Sequence, residues 1–285
     1  MANLDKHDEI IEKIIEKPSE CSFDKEQKQV CSPDPIIHKM MEFVKTKTNI
    51  EVPKNPVKIL EVAKEITDCN SESCILKQPE FIKFAKINNV DNILEEFFKP
   101  NGPATHFGLL SNFNIDEVLD QLTEKFPDFL HIPFQMRDFE KIGSELATLD
   151  LAKEFKHNNI KRFGVVLNTD YSVGKGIHWY CLYGEYLGNK IILEYFNSSG
   201  REPLVETHSW LQKQKHYLTK SMNIPVEIKY STGIQFQNDE HSCGVYCLMY
   251  IWFRLEGVSA GWFKSNNFND NLMHKSRKLL FRHEV

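Results

Sequence analysis

The run Cys243-Gly244-Val245-Tyr246-Cys247-Leu248-Met249-Tyr250-Ile251-Trp252-Phe253 leaves this chain little choice of fold. From Val245 to Phe253 it is apolar on every side, whereas a surface helix carries a single apolar stripe. The segment runs on to Gly257, a helix stop, and that length favours helix over strand. It reads as a core element, with Cys243 where a buried helix begins. It is far short of the roughly 20 apolar residues that span a membrane.

The rest of the chain bounds the function by exclusion. Its 285 residues, 41% apolar, suffice for one large domain or two smaller ones. A net charge of −5 gives no basic footprint for nucleic acid. The start MANLDKHDEIIEKIIEK lacks the cationic head and apolar middle of a leader peptide. Ala2 excludes the myristoylation motif. Neither membrane nor nucleic acid is expected as a partner. Seven cysteines without a leader read as reduced thiols in cytosol-like conditions. Cys181 and Cys247 are expected as small buried hydrophobes.

Patterning divides the chain near Lys99–His106, where Pro and Gly cluster. Residues 1–104 read as a helical arm domain. Ile10, Ile11, Ile14 and Ile15 share a helical face that Pro18 ends, Pro56 sits at a first helical position, and Asp91 is a cap. Residues 105–285 read as the core. Asn114 is expected to cap a helix, with Glu117 completing a capping box. Strand signals follow in RFGVVLNTD, IHWYCLYGEYL, KIILEYFNS, VEIKYST and IQFQ. Gly188-Asn189 is a two-residue hairpin loop joining the second and third.

A helix N-terminus favours a thiolate and lowers a cysteine pKa into the range of about 3.5–7.5. Gly244 lets the backbone approach a substrate closely. A nucleophilic cysteine also needs a base and a group that orients the base. Counting around Gly188-Asn189 places His178 opposite Ser199 and Tyr180 opposite Asn197. His178 and Asn197 are then diagonal neighbours on one face, in reach of each other. Asn168 and Asp170 are rivals of Asn197 as orienter. An oxyanion donor just before Cys243 is Gln235 or Gln237, between which spacing alone does not choose.

The stretches IHWYCLYGEY, IILEYFNSSG and QNDEHSCGVY resemble the His-Trp, Asn/Asp and Gln-x5-Cys-Gly motifs of ubiquitin-like-protein-processing cysteine proteases, in the same order along the chain. DCNSESCILKQP, GLLSNFNIDEVLDQ and GVVLNTDYSVGKGIHW add a likeness to African swine fever virus-type polyprotein proteases, which are SUMO-protease-like and adenain-like. The resemblance covers the chain from about Asp68 onward. It implies an α+β fold: a permuted papain-like core with a central mixed sheet flanked by helices, behind an N-terminal helical arm. It implies His178 as base, Asn197 as orienter, Gln237 as oxyanion donor and Cys243 as nucleophile. Trp179 would cover a narrow substrate channel, with Phe113 on the opposite wall. The family implies cleavage of viral structural polyproteins within Gly-Gly-Xaa, in host cytoplasm and virion. The arm would contact substrate or another protein.

Rival readings have their own signatures. Deconjugation of a ubiquitin-like modifier would use the same site. An acyltransferase would carry acetyl on the thioester, and a non-catalytic scaffold would have lost a triad residue. Zinc sites show tighter paired cysteines than HSCGVYC and CNSESC offer, so no metal or cofactor is expected. Cys69 and Cys74 are structural thiols or a redox pair. His106, His131 and His208 have no placed partners.

Overall fold

A computed structural model of the chain describes residues 2–15, 19–48, 54–105, 107–264 and 268–282. The chain forms two compact units: Met1–Ile15 with Pro103–Arg277, and Glu16–Gly102 with Lys278–Val285. The junction at Gly102 and Pro103 lies inside the expected break, yet both units are discontinuous in sequence. The first helix, α1 (Ala2–Ile15), belongs with the larger unit, where Asp8 Oδ1 accepts a hydrogen bond from Trp262 Nε1 at 2.8 Å. Residues 278–282 belong with the smaller one, where Arg282 Nη1 donates to Lys99 O at 2.8 Å. Pro18 and His106 lie outside the described residues.

The smaller unit is helical: α2 (Asp34–Lys47), α3 (Pro56–Thr67), α4 (Glu72–Lys77), α5 (Pro79–Ala85) and α6 (Val90–Phe97). Met40, Phe43, Leu60, Ile75, Phe81 and Leu94 make its core. Asn55 caps α3 by accepting from Val57 N and Lys58 N, with Pro56 just inside, where its missing N–H costs nothing. The cap of α6 is Asn89, whose Oδ1 accepts from Asp91 N and Asn92 N; Asp91 is already helical. The expectation of reduced thiols fails here, because Cys21 pairs with Cys31 and Cys69 with Cys74. Their Cα separations of 4.9 and 5.7 Å suit a bridge. The free thiols are Cys181, Cys243 and Cys247.

The larger unit runs α7 (Asn112–Lys125), β1 (Phe129–Gln135), α8 (Phe139–Ile142), α9 (Glu145–Thr148), α10 (Leu151–His157), β2 (Arg162–Asn168), β3 (Trp179–Tyr186), β4 (Ile191–Phe196), α11 (Val205–Met222), β5 (Val226–Tyr230) and α12 (Cys243–Leu255). The last helix, α13 (Asp270–Leu280), starts in it. One mixed sheet has the order β1-β2-β3-β4-β5, antiparallel at its two central pairings and parallel at the outer ones. In the hairpin Cys181 pairs with Phe196 and Tyr186 with Ile191, the register that counting predicts. Gly188 holds φ +84 in the turn, which a side chain would strain. The segment IQFQ adds no strand: Phe236 N and Gln237 N both donate to the single carbonyl of Ser198. Helix α7 is capped by Ser111, three residues before the expected Asn114. Asn114 Oδ1 returns the bond to Ser111 N and so completes the box itself.

Trp210 and Leu211 of α11 cover one face of the sheet against Phe163, Leu182 and Leu193. Helix α12 covers the other, and all its residues are buried. Each large apolar side chain so buried contributes about 1.5–3 kcal/mol. Tyr250 stacks on Phe196 with ring centroids 4.3 Å apart, and Phe263 and Phe268 close the outer side. Apolar packing alone would let this helix turn about its axis. Arg254 prevents that, donating to Glu194 at 2.8 Å and Glu185 at 2.9 Å, while Tyr250 OH also reaches Glu194. Among the described residues no helix is long and apolar enough to cross a membrane.

Candidate active site

Cys243 opens α12 and is 5% exposed. Trp179, the first residue of β3, lines the same cleft as Cys243. Burial pushes the thiol up to about 11, and the neighbouring backbone N–H groups offset only part of that. Desolvation of a thiolate thus works against the lowering expected of a helix N-terminus.

His178 precedes Trp179, and its Nε2 lies 2.8 Å from Asn197 Oδ1. The roles in this contact are set by the neighbours. Asn197 Oδ1 also accepts from Ser199 N and Ser199 Oγ, and Asn197 Nδ2 donates to the Tyr195 hydroxyl. The amide oxygen is thus turned to the ring, so Nε2 carries the proton and Nδ1 keeps a lone pair. Burial holds the His178 pKa below its ordinary value, and the charge of Arg201 adds to this; the Asn197 bond works the other way. The rival amide is occupied. Asn168 Oδ1 accepts from Asp170 N and Ile177 N, and Asp170 from Tyr171 N and Gly176 N. Both hold the loop between β2 and β3 in shape.

Gln237 lies on the segment between β5 and α12. Its Oε1 accepts from Ser198 Oγ at 2.7 Å and its Nε2 donates to Asp239 O at 2.9 Å. The second amide hydrogen has only a long 3.4 Å contact to Asp239 Oδ1. Gln235 Nε2 is tied to Gln237 O. Ser198, the residue directly after Asn197, is thus bonded to Gln237, a connection that sequence spacing does not reveal.

Cys243 and Trp179 line a cleft of about 520 Å³ with Leu109, Leu110, Met136 and Asn168. Trp179 Nε1 donates to Leu110 O at 3.2 Å and its ring meets Phe134 edge-on. Phe113 does not line this cleft; it is 72% exposed on α7, one residue past Asn112, which does. The wall assigned to it comes from Leu109 and Leu110. Gly244 also differs from expectation. A Cβ there would stand 3.1 Å from Leu110 Cβ, so its missing side chain admits Leu110. His178, Asn197 and Gln237 are not among the residues lining the cleft. Among the described residues no cluster of His, Cys, Asp or Glu could hold a metal. His131, unassigned above, sits between Asp120 at 2.7 Å and Asp116 at 3.3 Å. His208 stacks against Tyr230.

A cysteine-headed interior helix on a mixed sheet, beside a hairpin that pairs a histidine ring with an asparagine amide, is the architecture of a papain-like cysteine protease. No protein-family model matches the chain. It is 35% identical over 287 aligned residues to the cysteine protease of a Malawi tick isolate of African swine fever virus, covering 96% of this chain and 98% of the relative. It is 34% identical, with the same coverage, to a Kenyan pig isolate's protein named SUMO-1 cysteine protease. The crystal structure of the African swine fever virus protease superposes with a TM-score of 0.79 at 31% identity, covering 93% of this chain and 96% of that one. The chain belongs to the African swine fever virus-type family of viral cysteine proteases.

Proposed function

We propose that the chain is an endopeptidase that cleaves viral structural polyprotein precursors within Gly-Gly-Xaa sequences during virion maturation, acting in host cytoplasm and virion. The observation that carries the reading is the 2.8 Å contact between His178 Nε2 and Asn197 Oδ1, with the residue after His178, Trp179, lining the same cleft as Cys243. His178 Nδ1 takes the Cys243 proton as the sulfur attacks the peptide carbonyl carbon. The oxyanion is held by the Cys243 N–H and by the loosely engaged second N–H of Gln237. The C–N bond breaks, and the amine leaves with the proton from His178. The imidazole then draws a proton from water, which hydrolyses the thioester. Trp179, Leu109 and Leu110 crowd the approach to the sulfur and favour residues without side chains.

A panel of peptides with internal Gly-Gly-Xaa, Ala-Ala-Xaa and Gly-Ala-Xaa tests this. Cleavage confined to Gly-Gly-Xaa and lost in Cys243→Ser supports it; cleavage that ignores the two glycines overturns the specificity. The name carried by the Kenyan relative favours a second reading, deconjugation of a SUMO-type modifier. Activity on a folded modifier fusion, with none on short peptides, would select that reading. The helical arm is assigned to substrate or partner capture.

A further inference from the structure

The segment from Gln237 to Ser242 lacks regular structure, yet it carries the assigned oxyanion donor into the nucleophile helix. One face of α13 holds it. Asp270 Oδ2 accepts from Asn238 N at 2.9 Å and Asp239 N at 3.2 Å. One turn on, His274 Nε2 lies 2.8 Å from Asp239 Oδ2; a carboxylate only accepts, so the ring donates. Two turns on, buried Arg277 donates to His241 O at 3.0 Å and to Gly108 O at 2.8 Å, just before Leu109 of the cleft wall. Asp270, His274 and Arg277 recur at the i, i+4, i+7 spacing of a helix face.

Asp239 is the hub. Its Oδ1 accepts from His241 N and Ser242 N, its Oδ2 from Ser242 Oγ, and its carbonyl from Gln237 Nε2. Partial burial would raise its carboxyl, but the bonds from Ser242, His241 and His274 hold it well below the usual carboxylate range. Tyr246, one turn into α12, has its hydroxyl 2.9 Å from Asp270 Oδ1. The loop is thus gripped at Asn238, Asp239 and His241, between Gln237 and Cys243.

The geometry points to α13 as a positioning clamp: Asp270 and His274, acting through Asp239, hold the Gln237 amide where the oxyanion forms. The inference rests on the site assignment above and deepens it. None of these groups touches substrate. They are positioning residues, and displacing a catalytic donor by about 1 Å costs on the order of 100-fold in rate.

Alkylation of Cys243 by iodoacetamide needs the sulfur and its base but no oxyanion donor, so it separates the clamp from general damage. His274→Ala and Asp270→Asn are compared with the parent chain for kcat, KM, Cys243 alkylation and melting temperature. The expected result is a fall in kcat of about 10- to 100-fold, with KM, alkylation rate and melting temperature little changed. His274→Gln, which keeps an N–H toward Asp239, should restore most of kcat. The clamp is overturned by kcat within about twofold of the parent. It is equally overturned if kcat, alkylation and melting temperature fall together, for α13 would then merely hold the fold. Peptide hydrolysis that survives Cys243→Ser overturns the site itself and the clamp with it.

Discussion

At the scale of single residues, burial acts against the charged form of both proposed reacting groups, raising the Cys243 thiol and lowering the His178 imidazole. As the proposed base, His178 must be unprotonated, and its pKa is held below the ordinary imidazole value, first by burial and then by Arg201. The acid limb of kcat/KM should therefore lie below the pH where a free histidine titrates. The Asn197 bond raises that pKa by favouring the imidazolium, so Asn197→Ala should move the acid limb to still lower pH. It should also lower kcat, though less than His178→Ala. An acid limb moving upward in a pH–rate profile of Asn197→Ala would remove Asn197 from the orienting role. At Gly244 the sterics are just as specific. A valine there must displace Leu110, whose carbonyl anchors Trp179, so Gly244→Val should raise KM for peptides before it unfolds the chain. Steady-state kinetics beside a thermal melt separates the two effects.

Among the elements, α12 and the pairing of α7 with β1 carry the sharpest expectations. Glu194 is fully buried and takes its charge partner from Arg254. Removing one member leaves a buried charge alone, so Arg254→Ala should lower stability by about 3–5 kcal/mol; urea unfolding measures this. Burial works against charging His131, but Asp116 and Asp120 more than offset it, and its pKa is raised. A raised pKa gives stability present below the unfolded-state value and lost as pH rises through the folded one. Urea midpoints should therefore decline as pH climbs through neutrality and flatten in His131→Gln. Much at this scale was legible beforehand. The register of β3 and β4 followed from Gly188-Asn189 because a two-residue turn leaves one pairing. Cys243 at the head of a buried helix followed from an apolar run with no polar face. What escaped was decided by distant partners. Gly244 reads as open backbone until Leu110, more than a hundred residues away in sequence, is seen to fill the space. The Cys243 thiol reads as acidified until its burial is known. Ser111 and Asn114 are both fit caps, and only the reciprocal bond chooses between them.

At the scale of the whole molecule, both disulfides lie in the smaller unit and each closes a short loop. Glu72, inside the Cys69–Cys74 loop, accepts from Cys31 N and Ser32 N, so the two bridges share one support. A short loop of this kind is worth about 2–3 kcal/mol. A reductant should therefore lower the melting temperature of the helical unit while short-peptide hydrolysis in the larger one persists. Loss of both together in a reductant titration would show that the units are not energetically separate. Deleting residues 1–100 removes α1 as well as the arm, and with it the Asp8 acceptor of Trp262. Such a truncation should thus weaken the larger unit, whereas Asp8→Ala alone should show how much of that loss belongs to α1.

The placement of Arg282 bears on synthesis. During translation the helices of the smaller unit leave the ribosome before the sheet of the larger one, yet the guanidinium that satisfies the carbonyls of Leu94 and Lys99 is made only after every residue of that sheet. A unit whose helices are made early is completed last.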